Sequence, residues 1–159
     1  MIDGVKIKAL DVRGDQAQGR EVMPRPGFLM EVVREDDGLL SRFGQSTFTV
    51  TYPGAIKAFH GHRKQDDVWF VAGGQALLVL HDARPSSPTR GETQTILAGA
   101  GDYKVVVIPA GVVHGYKVLG HEPVLLFYHT TQAYHAQAPD EERMPFDDPS
   151  IGFDWSKYS

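Results

Sequence analysis

Short runs rich in Val, Ile, Phe and Tyr recur between turn signals along this chain, and no 3.6-residue apolar period lasts long enough for a substantial helix. The runs are Gly4–Leu10, Phe28–Val33, Thr47–Tyr52, Ala55–His60, Val68–Ala72, Ala76–His81, Tyr103–Ile108 and Val124–His129. Such a pattern confines the chain to an all-β fold. About eight short, evenly spaced strands point to a small barrel or jelly roll, whose inward side chains alternate along each strand and whose mouth holds one ligand. Gly73-Gly74 separates two runs and reads as a tight hairpin turn. Arg84–Gly91 reads as a polar, exposed loop, and Pro139-Asp-Glu-Glu-Arg143 as a single helical turn.

With 159 residues the simplest organisation is one domain spanning 1–159, long enough to bury a sizeable core. A composition of 42% hydrophobic and 23% charged residues is that of a soluble globular protein. The net charge of −4 argues against a nucleic-acid partner or an anionic membrane surface. No apolar run approaches the roughly 18 residues of a membrane-spanning helix. The start, Met1-Ile-Asp-Gly-Val-Lys6, lacks the apolar core of a signal peptide, so a cytoplasmic location is expected. The absence of cysteine excludes disulfides and thiolate chemistry.

Chemistry concentrates in two places. His60 and His62 are two apart in a strand-like run, so both rings point the same way. Asp66 and Asp67 follow just past them, and His114 is expected at the end of a later strand, in Pro109-Ala-Gly111-Val-Val-His114. Three imidazoles and one carboxylate brought together this way suit either proton transfer or a divalent metal. The other histidines, His81, His121, His129 and His135, read as surface or lining residues, and Trp69 and Phe70 as core.

Gly54, five residues, His60-x-His62, an aspartate, six residues and Gly73 or Gly74, followed by Pro109-x-Gly111-x-x-His114, resemble the two motifs of the cupin superfamily, with aspartate where glutamate is usual. Over nearly its whole length the chain further resembles the dTDP-4-dehydrorhamnose 3,5-epimerase family of cupin-type jelly rolls. The likeness is carried by Pro26-Gly-Phe-Leu-Met-Glu31-Val-Val-Arg34, Phe43-Gly-Gln45, Gly54-Ala-Ile-Lys-Ala-Phe-His60, Ile108-Pro-Ala-Gly-Val-Val-His114-Gly-Tyr, Leu126-Phe-Tyr128-His-Thr-Thr-Gln-Ala-Tyr134 and Phe146-Asp-Asp148-Pro-Ser-Ile-Gly-Phe-Asp-Trp155. That resemblance implies an isomerase acting without cofactor on a nucleotide-linked 4-keto-6-deoxy sugar. A base removes a proton next to the ketone, the enolate is stabilised, and an acid returns a proton to the other face. It implies His60 as base, Asp148 as the group holding the other ring nitrogen of His60, and Tyr128 as acid. Glu31, Gln45, Lys57, His62, His114 and Tyr134 are implied as substrate-binding residues. It also implies a homodimer with exchanged strands, Phe28–Val33 and Thr47–Tyr52 being suited to that role.

Three positions depart from the family pattern. Asp67 stands where a lysine is usual, His62 where histidine is not, and Pro26 where an arginine is expected, with Arg25 displaced by one. The first two keep open an alternative, a metal-binding cupin (a dioxygenase or a metal-assisted isomerase) using His60, His62, Asp67 and His114. There a ligated His60 would have no lone pair left to act as base. The anion at Asp67 also keeps open a non-catalytic sugar-nucleotide binder.

Overall fold

The computed structural model describes residues 1–14 and 27–158. Its strands are β1 (Lys6–Ala9), β2 (Arg13–Gly14), β3 (Phe28–Leu29), β4 (Gln45–Thr51), β5 (Ile56–Gly61), β6 (Asp67–Gly73), β7 (Gln75–Asp82), β8 (Thr93–Gly99), β9 (Lys104–Ile108), β10 (Val112–Leu119), β11 (Val124–Thr130) and β12 (Glu142–Arg143). Among the described residues the only helical segments are 3-10 turns at Glu35–Asp37 and Trp155–Lys157. Two five-stranded antiparallel sheets, β1-β9-β6-β11-β4 and β12-β5-β10-β7-β8, face each other as a jelly roll, as the strand pattern predicts, of the cupin type that the motif resemblance implies.

The inner faces meet in the main core. Trp69 and Val71 of β6, Leu78 and Leu80 of β7, Val106 and Ile108 of β9, Tyr116 and Val118 of β10 and Leu126 of β11 fill it. Both outer faces are covered by chain ends. Val68, Phe70, Val105 and Val107 lie under Leu10 and the 30–40 segment, and Phe59, Leu77, Val79 and Val113 lie under Trp155 and its neighbours. Central strands buried on both sides explain why the Val68–Ala72 and Tyr103–Ile108 runs are continuously apolar rather than alternating.

Several sequence expectations are corrected. Gly73-Gly74 is no hairpin: β6 and β7 pair in different sheets, and the glycines carry the chain between them. Gly74 takes φ +65°, and a Cβ there would stand 2.3 Å from the Pro123 carbonyl oxygen. The Phe28–Val33 run shortens to two paired residues, because the chain beyond them packs over a sheet instead of joining it. Pro139–Arg143 contains strand β12 and no helical turn. Strands β8 and β10 have no counterpart among the apolar runs, and His114 lies near the start of β10, not at a strand end.

Register at the β5–β10 seam sets up the site. His114 pairs with His60 but Tyr116 pairs with Lys57, so three steps on β5 span two on β10. This bulge turns Lys57 and His60, three residues apart, to the same face, where strict alternation would separate them. Gly115 lies in the seam, and a Cβ there would stand 2.3 Å from Ala58 Cβ and 2.7 Å from the Lys57 carbonyl oxygen. We expect Gly115→Ala to lower unfolding stability in urea by about 1–3 kcal/mol, the usual cost of overpacking. A change well below that would mean the seam is not held this tightly.

Candidate active site

A cavity of about 660 Å³ opens between the sheets. Its walls carry Gln45 from β4, Lys57 and His60 from β5, Asp67 and Trp69 from β6 and Tyr128 from β11, with His62 just beyond β5. His60 and His62 share a face as their spacing predicted. The two sequence motifs touch directly: Gly111 N–H donates to the His62 carbonyl (2.6 Å), and Ala110 N–H donates to Asp66 Oδ1 (2.9 Å). Asp66 is therefore a tie between loops, and Asp67 is the carboxylate that enters the site.

Asp67 is 2% exposed. Trp69 Nε1–H donates to its Oδ2 (3.1 Å) and Gln65 Nε2 to its Oδ1 (2.8 Å). The Nε2 atoms of His62 and His114 lie 3.8 and 3.6 Å from Oδ2. Burial works to raise the Asp67 carboxyl, but the His114 and His62 rings and the Trp69 donor outweigh it and hold the group below its ordinary value. His62 Nδ1 donates to the Asp140 carbonyl and His114 Nδ1 to the Val112 carbonyl (2.9 Å), since a carbonyl can only accept. Both Nε2 atoms thus face Asp67 as bare lone pairs when the rings are neutral. That of His114 is buried without a hydrogen-bond partner.

These three donor atoms lie within 4.8 Å of one another, and among the described residues they form the one group able to hold a metal. His60 stands outside it, which corrects the four-ligand alternative. Its ring meets His114 edge-on, with centroids 4.6 Å apart. Burial, helped by the His114, His62 and Arg143 charges, pushes His60 down to about 3, against Asp67, which pulls the other way. At neutral pH His60 therefore carries a free lone pair, as a base requires.

The remaining expected site residues divide. Tyr128 lines the cavity from the wall opposite β5; Lys57, whose Nζ donates to Thr49 Oγ1 (3.0 Å), lines it from β5, and Tyr134, whose N–H donates to Gln45 Oε1 (3.0 Å), lines it as well. His114 lies behind the lining residues, 2% exposed. Asp148 does not reach His60. Its Oδ1 accepts from Ser150 N–H (2.9 Å) and Oγ–H (2.6 Å) in a local turn. Glu31 lies outside the cavity, near Arg34 (3.4 Å) and Arg13 (3.8 Å), because the 30–40 segment covers the outer face of the first sheet. Arg25 and Pro26 are outside the described residues.

Beyond Tyr134, the sequence does not mark the 138–143 segment as part of the site, yet it supplies one rim of the cavity. Asp140 fastens it. Its carboxylate accepts from the backbone N–H groups of Arg63 (3.1 Å), Lys64 (2.8 Å) and Gln65 (3.1 Å). Arg143 then pairs across β5 with His60. The contacts join residues nearly 80 positions apart, and no local pattern announces them.

A family model for dTDP-4-dehydrorhamnose 3,5-epimerase matches residues 6–159. The chain belongs to this family. The spore coat polysaccharide biosynthesis protein SpsL of Bacillus subtilis is 47% identical over 156 residues, covering 98% of this chain and 97% of that one. A dTDP sugar isomerase of Desulfovibrio desulfuricans superposes with a TM-score of 0.84 at 27% identity, covering 99% and 94% of the two chains. The RmlC epimerase of Legionella pneumophila, solved with dTDP-4-keto-L-rhamnose, gives 0.81 at 25% identity, covering 97% and 79%. Membership in the epimerase family makes this chain a sugar-nucleotide isomerase of the epimerase type and sets aside the non-catalytic binder.

The depressed His60 has a thermodynamic signature. Between pH 6.5 and about 3 the folded state binds fewer protons at His60 than the unfolded chain, so stability is lost as pH falls. From pH 6.5 to 5 this amounts to about 1–2 kcal/mol. Urea unfolding of His60→Gln should show a shallower acid slope than wild type over that interval. Parallel slopes would show that His60 is not depressed.

Proposed function

We propose that this enzyme inverts a carbon next to the ketone of a dTDP-linked 4-keto-6-deoxy sugar, without a cofactor, using His60 as base and Tyr128 as acid. One observation carries the reading: the two groups line one cavity from opposite sheets, His60 on β5 and Tyr128 on β11. Inversion needs a proton removed on one face and returned on the other, and groups on facing walls meet that need. Asp67 takes the part expected of Asp148, because its nearby charge favours the imidazolium that forms on His60. Gln45, Lys57, His62 and Tyr134 are the cavity residues left to hold the substrate. The cytoplasm is the location in keeping with such a substrate, since a charged nucleotide sugar does not cross hydrocarbon unaided.

The protein is offered dTDP-4-keto-6-deoxyglucose in deuterated water. Deuterium should enter carbon 3, carbon 5 or both, and His60→Ala should slow this by about 10²–10⁴-fold. Absence of deuterium from both carbons discards the substrate. Undiminished exchange in His60→Ala discards the base.

Residues 1–159 as one domain assemble, in this reading, into a homodimer through β4. That strand is an edge, and its outward Phe48 is 50% exposed, packed at a tilt against Phe127 with centroids 4.7 Å apart and flanked by exposed Val50 and Tyr52. An unpaired edge beside an apolar patch asks for cover. Across such an interface Glu31 would serve the partner's cavity, which accounts for its distance from its own. Sedimentation should give a dimer for wild type and a monomer for Phe48→Asp; a monomeric wild type removes the assembly.

A second reading rests on the bare Nε2 atoms facing Asp67. Bonds of about 2.1 Å in a tetrahedron put ligand atoms roughly 3.4 Å apart, near the 3.6 and 3.8 Å found here. His62, Asp67 and His114 would hold a divalent transition metal while leaving His60 free. Elemental analysis of untagged protein decides it: one equivalent that is lost in His62→Ala supports the metal, and none after addition of metal salts ends the reading.

A further inference from the structure

The cavity needs a positive charge where the enolate forms, and Asp67 puts an anion where the family pattern has lysine. Among the described residues three cations line the cavity: Lys57, Lys64 and Arg143. Of these, Arg143 is the one paired with the base. Phe59 and Met144 exchange both backbone hydrogen bonds, N–H to carbonyl at 2.8 Å each way. His60 and Arg143, the next pair along the ladder, are therefore a non-hydrogen-bonded pair. In such a pair the side chains share one face and stand closest together.

The backbone that carries Arg143 is fixed although the strand has only two residues. On one side Asp140 holds three consecutive amides of the 63–65 turn. On the other, Phe59 packs against Trp155 with ring centroids 5.4 Å apart. The guanidinium is not committed in the same way. Its Nε and Nη2 both lie 3.0 Å from Glu141 Oε2, and the side chain is 81% exposed. An exposed ion pair of this kind holds weakly and yields readily to a substrate anion.

We propose that Arg143 is a catalytic residue whose guanidinium leaves Glu141 and stabilises the negative charge on the sugar's carbonyl oxygen when His60 takes the neighbouring proton. This rests on the isomerase reading above. In the step, the C–H bond breaks, its proton passes to His60, and its electron pair forms a C=C bond. The carbonyl π pair moves onto oxygen beside Arg143. Reprotonation by Tyr128 on the opposite face reverses the electron flow and restores the ketone. It leaves a His60 imidazolium and a Tyr128 phenolate, which return to their starting forms by proton exchange with water. The oxygen is on the carbon adjacent to the one losing its proton, so the cation that serves it must stand beside the base, as Arg143 does.

Two measurements test this. In the deuterium assay, Arg143→Gln should lower kcat by about 10²–10³-fold, the scale for removing one donor to an oxyanion. Its dissociation constant for dTDP alone should stay within about threefold of wild type, and Arg143→Lys should recover part of the rate. Unchanged kcat, or a loss confined to KM and dTDP affinity, overturns the assignment and makes Arg143 a diphosphate anchor or a bystander. The second measurement needs no turnover: phenylglyoxal labelling of arginines, read by peptide mass. Arg143 should be labelled in the free protein, shielded by dTDP-4-keto-6-deoxyglucose and not shielded by dTDP. Shielding by dTDP alone, or by neither, overturns the assignment. If wild type incorporates no deuterium, the isomerase reading fails by itself, and the labelling still reports whether Arg143 faces the sugar.

Discussion

At Gly115 the backbones of β5 and β10 come so close that a Cβ would stand 2.3 Å from that of Ala58. The rest of the site depends on this approach. It permits the bulge that gives β5 its extra residue, and the bulge turns both Lys57 and His60 inward while keeping His60 opposite His114. An unbulged β5 with the same residues would send one of the two side chains out of the cavity. It also sends Phe59 outward, where it joins Trp155 and anchors the C-terminal segment that places Arg143.

Charge is organised around a single buried carboxylate. Asp67 is kept ionised by donors and imidazoles against the cost of its burial. His60, a little further off, is kept neutral by the same burial. Two titratable groups in one environment are thus pushed to opposite states, an anion behind and a neutral imidazole in front. Holding the Nδ1–H groups of His62 and His114 on backbone carbonyls aims both Nε2 atoms at that anion. The motifs bring these residues together, but the ring orientations arise only where two motifs and a third segment meet.

Both outer sheet faces would be wet and apolar without the chain ends laid over them. Covering them leaves β4, one of the sheet edges, with its outward aromatics bare. Using the N-terminal stretch as cover also takes Glu31 away from its own cavity. Shielding a sheet and lining the cavity are competing demands on that stretch, and in this structure shielding prevails.

The sequence by itself determined the all-β class, most strand positions, the shared face of His60 and His62, and the meeting of both with Asp67 and His114. These follow from local alternation and from motifs whose spacing carries geometry, such as Pro109-Ala-Gly111, where Gly111 takes φ +84°. Tertiary structure alone decided that Gly73-Gly74 crosses between sheets, since which strands pair is a property of distant partners. It decided that Asp67 rather than Asp66 enters the site, because Asp66 is taken by Ala110. It decided that Asp148 turns back on Ser150, since a carboxylate two residues from a free N–H satisfies itself at the least entropic cost. Arg143 and Asp140 were out of reach for the same reason that β12 was: a two-residue strand has no period, and its position comes from a ladder closed across nearly 80 residues.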